Sequence, residues 1–197
     1  EKVKVVASSV RELLRRGGHV NAIRLVQKLH PGDISKIIQE LNFREQVRIF
    51  GLLVKEDREL AAEALTDLGL EQGISLLTAL TSEEASSLLQ EVETDDRAAF
   101  ISALPEEFSD QVLETMRLEE SVQVQGLLQY ERETAGRIMT PNVFALQEDL
   151  SVSEAIQTIQ KTDEFEMVFY LYVVDDRNHL VGVISLRQLL MVGPSTP

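Results

Sequence analysis

The chain has 197 residues, and its 19 basic and 33 acidic side chains give a formal net charge of −14. Nucleic-acid binding depends on Lys and Arg that neutralise phosphates, so this balance argues against a nucleic-acid partner, and the absence of cysteine excludes disulfide scaffolds and cysteine-based zinc sites. The longest apolar run is eight residues, Met167–Val174, whereas a bilayer crossing takes roughly 20, so we expect no direct membrane insertion.

The first 28 residues are basic, with seven bases against two acids. They predict a helix over Ser9–Arg16, which Gly17-Gly18 closes, and a second helix over Val20–Leu29. Further along, the balance reverses, and the stretch from Glu59 to Glu120 holds sixteen acids and two bases. Such a stretch is either an ordinary solvated face or a surface that attracts cations.

An apolar residue recurs every twelve positions from Leu29 onward, with three residues inserted once, between Leu53 and Leu68. An apolar pair usually follows each of these anchors by eight and nine residues, which predicts a short helix in each unit. The anchors are Leu29, Leu41, Leu53, Leu68, Leu80, Val92, Leu104, Met116 and Leu128. Helices this short are stable only against neighbours, so residues 1–128 are predicted to form an all-α superhelical, solenoid-like domain.

Several of these units open with residues that start a helix. Ser82, Thr94 and Pro105 each precede an acidic pair, and such residues accept hydrogen bonds from the first turn or dispense with its N–H groups. Five units carry an acid three residues after the anchor, where it complements the positive end of the helix dipole: Glu71, Glu83, Asp95, Glu107 and Glu119. A structural role for these acids is therefore the main alternative to a metal site.

The pattern changes after Tyr130 and predicts an α/β unit over residues 129–197. We expect, in chain order, a strand over 143–146, a helix over 152–161 with a Ser151–Glu154 capping box, a strand over 167–174 buried on both faces, a turn over 175–178, a strand over 180–185 and a helix over 186–192. The predicted fold class is thus α plus α/β: an all-α superhelical domain followed by one β-α-β-β-α unit.

Two parts of the chain resemble one known family. Leu29–Ile34 with Ile37-Ile38 resembles the start of the cytosolic N domain of MgtE-type magnesium transporters. The segments AGRIMTP (135–141) and YLYVVDDRNHLVGVISLRQLL (170–190) are similar to the first CBS motif of the same family. The resemblance covers the chain from about residue 10 onward, and by that resemblance we expect the chain to end before a second CBS motif, a connecting helix and membrane helices.

The resemblance implies a magnesium-sensing regulatory region of a homodimeric magnesium channel, on the cytoplasmic face of the bacterial inner membrane. In that family, Mg²⁺ bridges acidic residues of the N domain, the CBS domains and the connecting helix, and the loaded state is closed. Carboxylates brought face to face repel each other, and a divalent cation reverses the sign of that interaction. The implied cofactor is Mg²⁺, and the implied partners are a second copy of the chain, the second CBS motif and the transmembrane pore domain.

The family's metal ligands carry over to two positions of this chain. Glu63 matches the N-domain glutamate ligand, and Glu83 matches an acidic ligand at the start of a helix. A third family ligand falls on Ser87, which is a weaker, neutral ligand, so Glu84 or Asp67 is expected to compensate. The alternatives are that Glu63 is merely solvated and that Glu83 merely caps its helix.

The last helix departs from CBS motifs that bind adenosine ligands. Those motifs commonly carry an aspartate where this chain has Gln188, so an acceptor for a ribose hydroxyl is missing and nucleotide binding by this half is not expected. A single CBS half leaves an apolar sheet face uncovered, and such a face favours pairing with a second copy. We therefore predict a homodimer.

No catalytic residues and no enzymatic activity are predicted, because the chain has no phosphate-binding glycine loop, nucleophile elbow or triad-like set. Three scattered histidines, His19, His30 and His179, predict loop or cap positions rather than zinc ligation. The alternative function is a soluble interaction adaptor with a CBS dimerisation unit, because short-helix superhelices also resemble the flagellar motor-switch protein FliG.

Overall fold

The computed structural model describes residues 2–131, 133–141, 143–161 and 169–193. Contacts divide the chain into two compact units, residues 1–141 and 142–197. They group residues 129–141 with the first unit, whereas the sequence pattern assigns this segment to the second. The limits of the two domains themselves stay a prediction.

The first unit is built from short α-helices, as the twelve-residue repeat predicts. Ten of them lie within its described residues: α1 (Lys2–Arg15), α2 (His19–Val26), α3 (Pro31–Gln39), α4 (Phe43–Glu56), α5 (Arg58–Leu68), α6 (Leu70–Leu77), α7 (Ser82–Leu89), α8 (Thr94–Ala103), α9 (Glu106–Thr115) and α10 (Leu118–Leu128).

Most of these helices pack against the helix two places further along the chain. The odd-numbered helices α1, α3, α5, α7 and α9 contact one another in that order, and the even-numbered helices α2 to α10 do the same. Two such rows make a superhelical stack in which each turn is held by its nearest neighbours. The predicted superhelical, solenoid-like domain is therefore confirmed.

The apolar repeat forms one continuous core. Most anchors are buried, and so are most of the pairs that follow them. The buried pairs are Ile37-Ile38, Ile49-Phe50, Leu76-Leu77, Leu88-Leu89 and Phe100-Ile101. Each fully buried side chain of this size contributes about 1.5–3 kcal/mol relative to an exposed one, so the stack is stabilised mainly by this stripe rather than by helix propensity.

The first two helices differ from their predicted limits. Helix α1 begins at Lys2 instead of Ser9, because Val3, Val6 and Val10 continue the apolar stripe toward the N-terminus and pack on the core. Helix α2 ends at Val26 instead of Leu29. The predicted closure by the two glycines is confirmed, with Gly17 at a φ of +75°, a conformation that favours glycine.

Two predicted helix caps lie one residue too late. At α7 the cap is Thr81, whose hydroxyl accepts a hydrogen bond from the Glu84 N–H while the Glu84 carboxylate accepts one from the Thr81 N–H. At α8 the cap is Glu93, and Thr94 is already helical. Pro105 occupies the cap position of α9. The acids that follow lie in the first turns of α6 to α10, as predicted.

The second unit contains a three-stranded sheet, with strand β1 parallel to β2 and β2 antiparallel to β3. Its elements are β1 (Ala145–Gln147), α11 (Val152–Lys161), β2 (Tyr170–Val174), β3 (Leu180–Ser185) and α12 (Leu186–Met191). The β-α-β-β-α order, the helix over 152–161 and the strand over 180–185 are as predicted. The Ser151–Glu154 capping box is present.

Strand β2 is buried on one face only, so the prediction of two buried faces is wrong. Leu171 is fully buried and packs with residues of α11 and α12, whereas Tyr170 and Tyr172 are exposed on the opposite face. Both helices pack on the same side of the sheet, and a strand needs a layer on each side to be buried twice. Met167 and Val168 lie outside the described residues.

The segment that follows α10 packs back on the helical unit. A 3₁₀ turn over Ala135–Arg137 places Gly136 against the Tyr130 ring, where an added Cβ would approach ring carbons to 2.5 Å. The Arg137 side chain is buried, and its Nη2 donates to the Ala98 carbonyl at 3.4 Å. The beginning of the CBS-like sequence is thus anchored on α8 and α10.

Candidate functional site

Helix α5 presents two of the predicted metal ligands on one exposed side. Glu63 and Asp67 are one helical turn apart, and both are exposed. Neither carboxylate forms an ion pair with another described residue. Two carboxylates at this spacing are neighbours on a helix surface and repel each other when ionised.

Asp67 also lies close to the start of α3. A Cβ added at Gly32, in the first turn of α3, would lie 3.4 Å from Asp67 Oδ2. The α3 terminus is capped by His30, whose Nδ1 accepts a hydrogen bond from the Gly32 N–H at 3.2 Å, so the predicted cap position of His30 is confirmed. The partial positive charge of a helix N-terminus favours a carboxylate there, which gives Asp67 a structural role beside any ligand role.

The other two predicted ligands, Glu83 and Glu84, lie in the first turn of α7. They differ in their hydrogen-bond and ion-pair partners. Glu84 is half-buried and completes the capping box with Thr81. It also pairs with Lys55 of α4, with 3.2 Å between Lys55 Nζ and Glu84 Oε1. Glu84 is therefore already satisfied by a hydrogen bond and a cation.

Glu83 is exposed, and its carboxyl group ionises readily. Its own backbone N–H donates to its carboxylate, and the Thr81 hydroxyl and then the Ser82 hydroxyl add further hydrogen bonds, which lower the pKa of Glu83 below its ordinary value. A carboxylate stabilised in this way remains ionised at neutral pH. Ser87, one turn later on the same helix, is half-buried.

Helix α5 packs against α7, so the two acidic pairs lie on neighbouring helices. Across the described part of the chain, however, no three His, Cys, Asp or Glu side chains converge closely enough to hold a metal ion. The chemistry fits Mg²⁺, which prefers carboxylate oxygens and keeps several waters. The structure therefore supplies suitable donors without assembling a complete coordination sphere from this chain.

One of the two bases in the acidic stretch has a structural role that the sequence did not reveal. Arg97 is 4% exposed, donates through Nη2 to the carbonyls of Gln90 and Val92, and pairs with Glu120 of α10. Burial lowers the pKa of Arg97, yet a guanidinium remains charged at neutral pH. Removing Glu120 would therefore leave the buried guanidinium without its ion-pair partner.

The second unit offers a different candidate surface, an open apolar groove. It has a volume of about 740 Å³ and is lined by Phe169, Tyr170, Ser185, Leu186, Arg187, Leu190 and Met191. The exposed face of the sheet continues it, because Tyr172 and Val183 are paired across β2 and β3 and are both exposed. The predicted uncovered apolar face is thus present in the described part of this unit.

Gln188, which replaces the expected aspartate, is held in the first turn of α12. Its side-chain oxygen accepts hydrogen bonds from the Ser185 N–H at 3.1 Å and from the Ser185 hydroxyl at 2.8 Å. The amide therefore completes a capping box. Because it is neutral and already engaged, it does not substitute for a carboxylate acceptor.

Comparison with known proteins gives two adjoining family matches. Residues 29–133 match the MgtE intracellular N domain, and residues 135–194 match the CBS domain. The chain is 29% identical over 195 residues to the magnesium transporter MgtE of Thermus thermophilus, covering 97% of this chain and 43% of that protein. It is 28% identical over 184 residues to MgtE of Bacillus subtilis, covering 92% and 40%. The chain thus spans less than half the length of these relatives.

Two solved structures are similar to this one over nearly the whole chain. The first is the soluble part of a magnesium transporter, with a TM-score of 0.80, 26% identity, and coverage of 98% of this chain and 76% of that one. The second is the cytosolic domain of the Mg²⁺ channel MgtE in complex with ATP, with a TM-score of 0.86, 28% identity, and coverage of 96% and 77%.

These matches confirm the resemblance and the fold class predicted from the sequence. The matched N-domain model describes an intracellular domain, in agreement with the predicted cytosolic position. No helix in the described ranges has the length and apolar character needed to cross a bilayer. Because the N-domain match alone spans more than half of the chain and the CBS match follows directly, the protein belongs to the MgtE family, and the chain comprises its intracellular N domain followed by a CBS domain.

Proposed function

We propose that this chain is the Mg²⁺-sensing regulatory region of a magnesium transporter, at the cytoplasmic face of the bacterial inner membrane. Acidic residues of the helical unit bind Mg²⁺ when its concentration is high, and the loaded arrangement favours the closed state. The observation that carries the proposal is the placement of Glu63, Asp67 and Glu83 on two contacting helices, exposed and without an ion-pair partner among the described residues.

The electrostatics of this surface support a cation-controlled switch. The Glu59–Glu120 stretch holds sixteen acids against two bases, and one of those bases, Arg97, is buried in its own ion pair. Two carboxylates about 4 Å apart repel by about 1 kcal/mol in water and about 4 kcal/mol near a protein surface. Bringing a second acidic surface against this one is unfavourable until a divalent cation lies between them.

The incomplete coordination sphere agrees with a bridging role. Mg²⁺ is usually held by one or two carboxylates and keeps several of its waters. Glu63 and Glu83 would supply such carboxylates, with Asp67 and Glu84 nearby, and the remaining ligands would come from water and from a facing segment. An ion held between two surfaces binds the closed arrangement better than the open one, which is the requirement for a switch.

The CBS unit is proposed to provide the pairing surface. The apolar groove and the face formed by Tyr170, Tyr172 and Val183 are exposed, and large exposed apolar surfaces favour association. We assign this face to pairing with a second copy of the chain or with a second CBS motif. A dimer would present two acidic surfaces, so Mg²⁺ binding at both of them would contribute to one closing transition of the pore.

An NMR titration with paramagnetic Mn²⁺ in place of Mg²⁺ tests the proposal. The amide signal of each residue is followed during the titration. Mn²⁺ broadens signals close to its binding site, so we expect selective broadening around Glu63, Asp67 and Glu83, reversed by excess Mg²⁺. Uniform broadening along the whole acidic stretch, or none, would favour the interaction adaptor. The control variant Glu59→Ala, on the same helix α5, should broaden like the wild type.

A further inference from the structure

One cleft in the helical unit of this acidic protein is rich in arginine. The cleft lies between the C-terminal end of α1 and the first turns of α4, has a volume of about 390 Å³, and is lined by Leu14, Arg15, Asn42, Arg44, Glu45 and Arg48. Pockets of roughly 300–1,000 Å³ are the usual size for small ligands. Three of its six lining residues are arginines.

Two of these arginines have unused donors. Arg44 and Arg48 are one turn apart on α4, both are exposed, and neither has a hydrogen-bond or ion-pair partner within the described residues. Each guanidinium presents five N–H donors in a planar fork. Because both side chains line the same cleft, both sets of donors are available to one anion bound there.

The acids near the cleft are already neutralised. The Glu45 carboxylate accepts from Arg11 Nε at 3.3 Å and from the Asn42 N–H at 3.1 Å. Arg11 is fixed in addition by its bond from Nη2 to the Glu40 carbonyl at 2.8 Å. Glu45 is thus held within the wall of the cleft and does not compensate Arg44 or Arg48.

Arg15 adds a third positive group at the α1 side. Its Nη2 lies 2.7 Å from Glu12 Oε2, and the same carboxylate pairs with Arg16, at 2.5 Å from Nε. One carboxylate shared by two guanidiniums leaves an excess of one positive charge. Among the described residues, Arg11, Arg15 and Arg16 form ion pairs with Glu12 and Glu45 alone, and Arg44 and Arg48 form none.

We infer that this cleft binds a phosphate group of a small phosphorylated ligand or of a lipid headgroup. Several guanidiniums that converge on one cavity match the oxygens and the multiple charge of phosphate better than a single carboxylate does. The N–H of Glu45 is taken by the Asn42 side chain, so the arginines and not the helix terminus supply the binding groups. The remainder of the chain is strongly acidic and disfavours an anion elsewhere on the helical unit.

Calorimetric titration of the whole chain with inorganic pyrophosphate, at an ionic strength of about 0.15 M and without divalent cations, tests this site. We expect saturable binding that weakens by about tenfold or more in the double variant Arg44→Gln, Arg48→Gln, which loses two charge-assisted contacts. Arg24→Gln with Lys28→Gln removes the same charge from exposed positions on α2 and just after it. This control should bind within about twofold of the wild type, because screened charges outside the cleft contribute little.

A second experiment, with lipid vesicles, distinguishes a lipid headgroup from a soluble phosphorylated ligand. Co-flotation with phosphatidylcholine vesicles that contain phosphatidic acid, lost in the Arg44/Arg48 variant and kept in the Arg24/Lys28 control, would assign the site to a lipid headgroup. Cleft-dependent binding of pyrophosphate alone would assign it to a soluble ligand. If neither ligand binds, or if the two variants are weakened equally, the inference is overturned.

Discussion

Lys55 Nζ lies 3.2 Å from Glu84 Oε1, and this contact joins α4 to the first turn of α7. The pair places a positive charge within the acidic surface that we propose as a magnesium sensor. Lys55 is 66% exposed and Glu84 29% exposed at the side chain, so the pair is worth about 0–1 kcal/mol. Of the four predicted ligands, Glu84 is thus the one whose charge is already compensated.

Two substitutions at Glu84 separate its structural role from a ligand role. Glu84→Ala removes the capping box with Thr81 and should cost about 1 kcal/mol of unfolding free energy, with or without Mg²⁺. Glu84→Gln keeps an acceptor for the Thr81 N–H and should cost less. Urea unfolding measures both, and a Mg²⁺ response that disappears in Glu84→Gln would instead make Glu84 a principal ligand.

The close contact between Gly73 of α6 and Phe100 of α8 predicts a sharp sensitivity to one methyl group. A Cβ at Gly73 would lie 2.5 Å from Phe100 Cε1 and 3.1 Å from Leu65 Cδ1. Gly73→Ala should therefore destabilise the chain by about 1–3 kcal/mol through overpacking, although alanine is the better helix former.

Gly51→Ala is the matched control for this prediction. Gly51 lies inside α4, and an added Cβ there would meet nothing within 4 Å. The substitution should stabilise the chain by about 0.5–1 kcal/mol. Equal effects of the two substitutions in thermal or urea unfolding would show that α6 and α8 do not pack as described.

Much of the helical fold follows from the apolar period. Anchors every twelve residues, with pairs at offsets of eight and nine, define stripes such as Leu76-Leu77 and Leu88-Leu89 that can only be buried between neighbouring helices. The period does not fix the ends of helices. Thr81 and Ser82 are both acceptable caps, and the choice depends on which one lets Glu84 reach back to the cap.

Contacts between helices that are far apart along the chain could not be predicted from the sequence. Lys55 and Glu84 are 29 positions apart, as their residue numbers show, and they meet only because the stack turns α4 toward α7. The burial of β2 could not be predicted for a similar reason, because it depends on whether an element packs on each side of the sheet, and the local sequence pattern does not show this. Tyr170 and Tyr172 read as apolar strand residues, yet no described element of their unit covers them.

Asp96, in the first turn of α8, predicts a dependence of stability on pH. Burial raises the pKa of Asp96, and the charge of Asp95 raises it further. A carboxyl whose pKa is raised by folding contributes stability that is present below its unfolded pKa and is lost as pH rises through the folded value. The ionised Asp96 therefore destabilises the native state at neutral pH.

Asp96→Asn should accordingly raise the unfolding free energy at pH 7, and this advantage should shrink as the pH falls toward the ordinary aspartate pKa of 3.8. Urea unfolding at a series of pH values measures the difference. Asp110→Asn, at an exposed position of α9, serves as control and should change the unfolding free energy at pH 7 by less than about 0.5 kcal/mol. A loss of stability at pH 7 in Asp96→Asn would show that its charge is favourable at the helix start.

The exposed apolar face of the sheet predicts that the chain forms a dimer and that one charged substitution on this face abolishes it. Tyr172 and Val183 are register partners on β2 and β3 and are 41% and 54% exposed. We expect the wild type to be dimeric in light scattering, and Val183→Glu to shift it to the monomer, because a buried unpaired carboxylate is costly. Val20→Glu, at a 60% exposed position of α2, should remain dimeric. A monomeric wild type would remove the pairing role of this face.

The Mg²⁺ dependence of the thermal midpoint tests the proposed sensor most directly. A tenfold excess of Mg²⁺ over its dissociation constant contributes about 1.4 kcal/mol, which raises the midpoint by about 3–6 °C. We predict this rise for the wild type and for the control Glu59→Ala, Glu119→Ala, which removes two exposed acids of the same stretch, and its loss in Glu63→Ala, Glu83→Ala. A wild-type midpoint indifferent to Mg²⁺, or an equal rise in both double variants, would contradict the assignment.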